Sequence, residues 1–120
     1  MKRRARPEQV VQRALMQHLQ LRGVRNLFAF HVPNGGGRSA TEGAILKGMG
    51  VVAGVPDILI IRDGKVFALE LKAEGGRTTP AQTEMQQRMR DAGAIVGVEH
   101  GLDNALHRLE AWGLLRGKTT

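Results

Sequence analysis

The sequence predicts an α/β fold in which helices flank a small mixed β-sheet. Helical and strand-like apolar patterns alternate along the chain, and the connections between them are short. The predicted order is helix, strand, short helix, two-stranded hairpin, helix, strand and helix. With 120 residues, the chain is long enough for one domain of ordinary size but too short for two. We therefore expect a flexible basic arm at residues 1–6 and a single domain at residues 7–120.

The first half of the chain contains a helix, a strand and a short helix. Pro7 suits the first turn of a helix, apolar residues at helical spacing follow it, and Gly23 ends the pattern. Residues 27–32 form a short apolar strand that stops at Pro33. A short helix is expected at residues 41–49.

A hairpin opens the second half of the chain. Its two apolar strands are expected at residues 57–62 and 65–72, on either side of Asp63 and Gly64. Asp-Gly is a favoured dipeptide for a two-residue type I′ turn, and such a turn sets the register of the hairpin.

One more helix, strand and helix complete the fold. The stretch Thr79–Gln82 combines an N-cap threonine, a first-turn proline and a capping-box glutamine, so a helix is predicted from there to Ala92. Residues 94–98 are predicted to form the last strand. Asp103 is the expected N-cap of a final helix that extends through Trp112.

The composition favours a polyanionic partner. Eighteen Lys and Arg against eleven Asp and Glu give a formal net charge of +7, which points to nucleic acid, although such an excess also aids solubility. Three Phe, one Trp and no Tyr make a base-stacking platform a poor fit, so duplex or branched DNA is favoured. The absence of cysteine leaves oxygen and imidazole as metal ligands.

Membrane and secretory signals are missing from the sequence. No apolar run approaches the ~20 residues of a membrane span, and the basic N-terminus lacks the pattern of a secretory signal. We expect a cytoplasmic protein with no membrane partner.

The predicted hairpin register brings two carboxylates together. Asp57 lies directly opposite Glu70, and alternation places Ala68 and Lys72 on the same face as Glu70. Two hard oxygen donors near a main-chain carbonyl suit Mg²⁺ or Mn²⁺, and a nearby lysine suits metal-assisted hydrolysis of a phosphodiester. The same spacing also fits a plain cross-strand ion pair at a sheet edge.

Three motifs at these positions resemble a known family. Gly54–Asp57, Glu70–Ala73 and Pro80–Gln82 together are similar to the VRR-NUC branch of the PD-(D/E)xK nuclease superfamily, and the similarity covers most of the chain. It implies a restriction-endonuclease-like core and a metal-dependent nuclease.

The resemblance also implies roles for particular residues. Asp57, Glu70 and the Leu71 carbonyl would be metal ligands, with Lys72 catalytic. It further implies that Glu8 belongs to the site, although a first-turn acid is also favoured by the helix dipole.

The resemblance gives Gln82 a place in the active site, beside its capping role, and suggests a quaternary structure. Stand-alone members of this branch resemble Holliday junction resolvases and tend to be homodimers. A two-fold axis would place two active sites for paired cuts across a four-way junction.

Four further residues are predicted to contact DNA. Asn34 and Arg38 belong to a glycine-rich loop that can approach a phosphate closely, and Lys47 and Arg77 lie in segments that flank the open end of the hairpin. His31 could approach the same phosphate or be an ordinary edge residue. The loop lacks the Gly-Lys-Ser/Thr ending of a nucleotide site, so no nucleotide cofactor is expected.

Two functions fit these observations. The first is a metal-dependent, structure-selective DNA endonuclease, dimeric and resolvase-like. The second is a non-catalytic DNA-binding module that retains the nuclease fold.

Overall fold

The computed structural model describes residues 7–33 and 39–117. In chain order the elements are α1 (Pro7–Arg22), β1 (Leu27–His31), α2 (Ala40–Gly48), β2 (Ile58–Arg62), β3 (Lys65–Lys72), α3 (Pro80–Asp91), β4 (Ile95–His100) and α4 (Leu102–Ala111). The predicted order is confirmed, with bounds close to those expected. The basic stretch 1–6 lies outside the described residues, and the extent of the domain stays a prediction.

The four strands form one mixed sheet in the order β1-β2-β3-β4. β1 with β2 and β2 with β3 are antiparallel pairs, whereas β3 and β4 are parallel. Asp63 (φ 51°) and Gly64 (φ 76°) both have positive φ, as a type I′ turn requires. Arg62 pairs with Lys65, so the predicted register is confirmed.

The main hydrophobic core lies between one face of the sheet and two helices. α1 and α4 pack against the side chains of β2 and β3 that point to this face. A fully buried Leu or Ile contributes about 1.5–3 kcal/mol, so this layer holds the hairpin in place. The residues of this core that are completely inaccessible include Leu15, Ile58, Ile60, Leu69 and Leu109.

α3 connects the two parallel strands, and its N-terminus lies against the end of β3 on the other face of the sheet. Met85 and Gln86 are its buried residues, and Ala68 and Glu70 of β3 are buried as well. The face that alternation assigns to the acid pair is therefore interior.

The start of α4 differs from the prediction. The N-cap is Gly101, with φ 81°, and no side-chain hydrogen bond caps this helix among the described residues. β4 extends to His100, so a single left-handed residue must turn the chain directly into the helix, and glycine adopts that conformation without strain. Asp103 lies inside the first turn, where the helix dipole favours an acid.

α2 stands apart from the core. None of its residues, all of which the structure describes, is buried, and Ile45 is 58% exposed. Within residues 7–33 and 39–117, no helix is long and apolar enough to cross a membrane.

Candidate active site

Asp57 is held in place through both its backbone and its side chain. Its carbonyl oxygen accepts hydrogen bonds from the Val32 amide (2.7 Å) and from Nδ1 of His31 (2.8 Å). Its Oδ2 accepts one from the Leu71 amide (2.8 Å). Because a carbonyl can only accept, Nδ1 is the protonated nitrogen of His31. His31 therefore positions Asp57, a role that the sequence did not reveal.

Gly54 lets the loop before Asp57 approach α3. Its φ is 82°, and a Cβ atom at this position would lie 2.7 Å from the carbonyl oxygen of Ala81. Real Cβ contacts are never this short, so a larger residue would displace the loop. The glycine of the Gly54–Asp57 motif is thus explained by close packing next to the site.

Glu70 is a buried acid in the middle of the sheet. It is 2% exposed. Burial, a side-chain hydrogen bond with Asp57 and the negative charge of Asp57 together raise the pKa of Glu70 from 4.5 to about 9, although the charge of Lys72 opposes the rise. Without a cation, Glu70 therefore keeps its proton at neutral pH and donates it in the hydrogen bond to Asp57. Its Oε2 atom is buried with no hydrogen-bond partner among the described residues.

These contacts exclude the plain edge ion pair. β3 is an interior strand, and the Lys72 ammonium donates to Oε1 of Gln82 at 2.7 Å. No ion pair among the described residues joins Lys72 to either acid.

Gln82 forms the predicted capping box and also contacts Lys72, while its place in an active site stays a prediction. Its side-chain Oε1 accepts a hydrogen bond from the backbone amide of Thr79 (2.9 Å). The Thr79 hydroxyl in turn accepts one from the backbone amide of Gln82 (3.1 Å), which completes the capping box. The same Oε1 holds the Lys72 ammonium. The helix start and the lysine thus share one acceptor.

Glu8 lies near the acid pair but does not join it. Its charge raises the pKa of Glu70 and is the smallest of the contributions, so the first turn of α1 is close to the site. No group of three or more His, Asp or Glu side chains in the described part of the chain could hold a metal ion. The role of Glu8 stays a prediction.

The residues predicted to bind DNA are only partly described. Asn34 and Arg38 lie outside the described residues. Lys47 and Arg77 are exposed, and neither takes part in an ion pair in the described part of the chain. Both remain free to meet a phosphate.

The residues at the open end of the hairpin fit a divalent cation. Asp57 and Glu70 supply facing carboxylates, and Oε2 of the buried Glu70 accepts no hydrogen bond from any residue that the structure describes. In an extended strand the N–H and C=O of one residue point to the same side, so the Leu71 carbonyl faces Asp57, as its amide does. Mg²⁺ is usually held by one or two carboxylates and completed by water and phosphate.

A mixed sheet that brings an acid pair and a lysine to one end of its central hairpin defines the chain as a nuclease-family α/β domain. No protein-family model matches the sequence, and no curated protein matches it. A solved structure of a VRR_NUC domain protein is similar over 92% of this chain and 90% of its own, with a TM-score of 0.72 and 25% identity. A second, of a VRR_NUC domain, is similar over 89% of this chain and 97% of its own, with a TM-score of 0.60 and 23% identity. The chain thus has the fold of these VRR-NUC domains, and the predicted resemblance to that family is confirmed.

Proposed function

We propose that this domain is a metal-dependent, structure-selective DNA endonuclease that hydrolyses phosphodiester bonds with Mg²⁺ or Mn²⁺. The observation that carries the proposal is the buried Glu70, which faces Asp57 and has an oxygen without a partner among the described residues. When both acids are ionised, such a pair is destabilising unless a cation offsets the repulsion.

Asp57, Glu70 and the Leu71 carbonyl would hold the ion. When bound, it would polarise the phosphate and lower the pKa of a bound water. Gln82 holds the Lys72 ammonium beside the acids, where the lysine orients the attacking water or stabilises charge that develops on the phosphate. Glu8, at the edge of the site, would act on the water or the ligands.

DNA is the substrate that the electrostatics favour. The net charge of +7 attracts a polyanion. Lys47 and Arg77 are exposed cations that precede and follow the hairpin in the sequence, and we propose that they contact the phosphate backbone together with Asn34 and Arg38.

We further propose a homodimer that acts on four-way junctions, as a Holliday junction resolvase does. Its support is the apolar surface at and after α2, which the rest of the described chain leaves uncovered. The exposed side chains there are Ile45, Met49, Val51 and Val52. A second copy would bury this surface and supply the second active site that paired cuts need.

Cleavage assays test the proposal. Linear duplex, flap and four-way junction DNA are incubated with Mg²⁺, Mn²⁺ or EDTA, and Lys72→Ala is compared with Lys65→Ala, an exposed lysine on the same strand. We expect cutting only with a cation, loss of cutting in Lys72→Ala and Asp57→Ala, and full activity in Lys65→Ala. If both site variants cut as well as the parent, the proposed site is wrong. A parent protein that binds DNA but never nicks it in Mn²⁺ would support the binding module instead.

A further inference from the structure

α3 carries a second buried glutamine that the site described above does not use. Gln86 is 4% exposed, and its Nε2 atom is buried with no hydrogen-bond partner among the described residues. An unsatisfied buried donor is destabilising, so such a group in a folded protein needs an explanation. α3 buries Gln86 together with Met85, so this side of the helix faces the sheet.

The fold places Gln86 at the level of Glu70. β3 and β4 are parallel, so the helix between them runs antiparallel to both. The hydrogen bond from Lys72 to Gln82 fixes one point where β3 and α3 meet. One helical turn from Gln82 to Gln86 advances about 6 Å, and two residues back along β3, from Lys72 to Glu70, cover about 6.6 Å. Both steps lead away from the contact between Lys72 and Gln82 in the same direction, so Gln86 and Glu70 lie at the same level.

Glu70 supplies an acceptor at that level. Its Oε2 and the Nε2 of Gln86 are the two buried side-chain atoms of the described residues that lack a hydrogen-bond partner. We propose that Gln86 is a positioning residue, which donates a direct or water-bridged hydrogen bond to the Glu70 carboxylate when the cation is bound. The inference rests on the metal site of the proposed function.

The energetic reason is the second oxygen of the carboxylate. One oxygen of a ligating carboxylate faces the ion, and the other needs a donor when it is buried. Gln86 is neutral, so it satisfies that oxygen without adding a charge to the site. The Oε1 of Gln82 cannot do so, because an amide oxygen only accepts, here from Lys72 and Thr79.

The test compares Gln86→Met, which keeps the shape of the side chain but lacks the donor, with Gln87→Met, the same change at an exposed neighbour on α3. Mn²⁺ binding to EDTA-stripped protein is measured by titration calorimetry, and Tm is measured without metal. We expect Gln86→Met to bind Mn²⁺ about tenfold or more weakly, with a metal-free Tm equal to or above that of the parent. Gln87→Met should leave the Mn²⁺ affinity unchanged and should lower the Tm only slightly, since it removes an exposed hydrogen bond to Asp91.

Three outcomes would overturn the inference. Unchanged Mn²⁺ affinity in Gln86→Met would show that the amide does not act on the site, while the metal site itself would stand. A parent protein without Mn²⁺ binding would remove both the site and the inference. Gln86→Leu is a second variant without the donor. If neither variant folds without metal, the Gln86 amide is needed for folding and does not act on the metal site.

Discussion

Replacing Glu70 with glutamine is expected to stabilise the metal-free protein, and to do so more strongly at high pH than at low pH. The pKa of Glu70 is about 9 in the folded protein, against an ordinary value of 4.5. Because the folded state binds this proton more tightly than the unfolded chain, the contribution of Glu70 to stability is fully present below pH 4.5. It is lost as the pH rises to about 9.

The size of the effect follows from the same shift. Each pKa unit is worth about 1.4 kcal/mol, so the loss between pH 4.5 and pH 7 is about 3 kcal/mol. Glutamine has no proton to lose, and its amide can still donate to Asp57, so Glu70→Gln avoids this loss. In a domain of this length, about 3 kcal/mol corresponds to roughly 10 °C in Tm.

Thermal unfolding of EDTA-treated protein checks this prediction, with Glu84→Gln, an exposed acid on α3, as the control. The Tm advantage of Glu70→Gln should be small near pH 4.5 and should grow toward pH 9. Mn²⁺ at a hundred times its Kd should stabilise the parent by about 2.7 kcal/mol and the variant far less. An advantage that does not change with pH, or a variant that responds to Mn²⁺ like the parent, would refute the reasoning.

Three further substitutions test how the site is held. Gln82→Leu removes the acceptor of Lys72 and should slow cleavage roughly ten- to hundredfold. Thr79→Ala should cost about 1 kcal/mol of stability and leave cleavage intact. Equal cleavage rates in the two variants would contradict this. Gly54→Ala meets the α3 backbone at 2.7 Å and should lose about 2–3 kcal/mol in urea unfolding, while Gly75→Ala, with φ 79° and open space, should lose about 1 kcal/mol. Ile45→Asp should convert dimers to monomers in light scattering without lowering the Tm of the monomer, and a monomeric parent would disprove the dimer.

The parts of the fold that were predictable depend on local rules. The Asp63-Gly64 turn determines the hairpin register because both of its residues need positive φ, and the register in turn brings the two acids together. The capping box at Thr79 is equally local. Such features require no knowledge of what packs against them.

The parts that were missed depend on neighbours that are distant in sequence. Alternation gave the face of Glu70, but its burial and raised pKa arise because α3 covers that face. The link from His31 to the Asp57 carbonyl requires the pairing of β1 with β2. Gln86 lies in a strongly polar helix, so nothing in the local pattern distinguishes it from its exposed neighbours.

The energetics of the acid pair favour catalysis over DNA binding alone. Keeping Glu70 beside Asp57 at pH 7 costs about 3 kcal/mol in the absence of a cation, a large fraction of the 5–15 kcal/mol by which domains are typically stable. A module that only binds DNA would gain from an apolar residue at this buried position, since contact with phosphates uses exposed cations such as Lys47. A cation that binds both carboxylates offsets the cost. The contacts of Lys72 do not require a buried acid pair beside it. The arrangement is therefore the one expected of a site that binds a metal during its function.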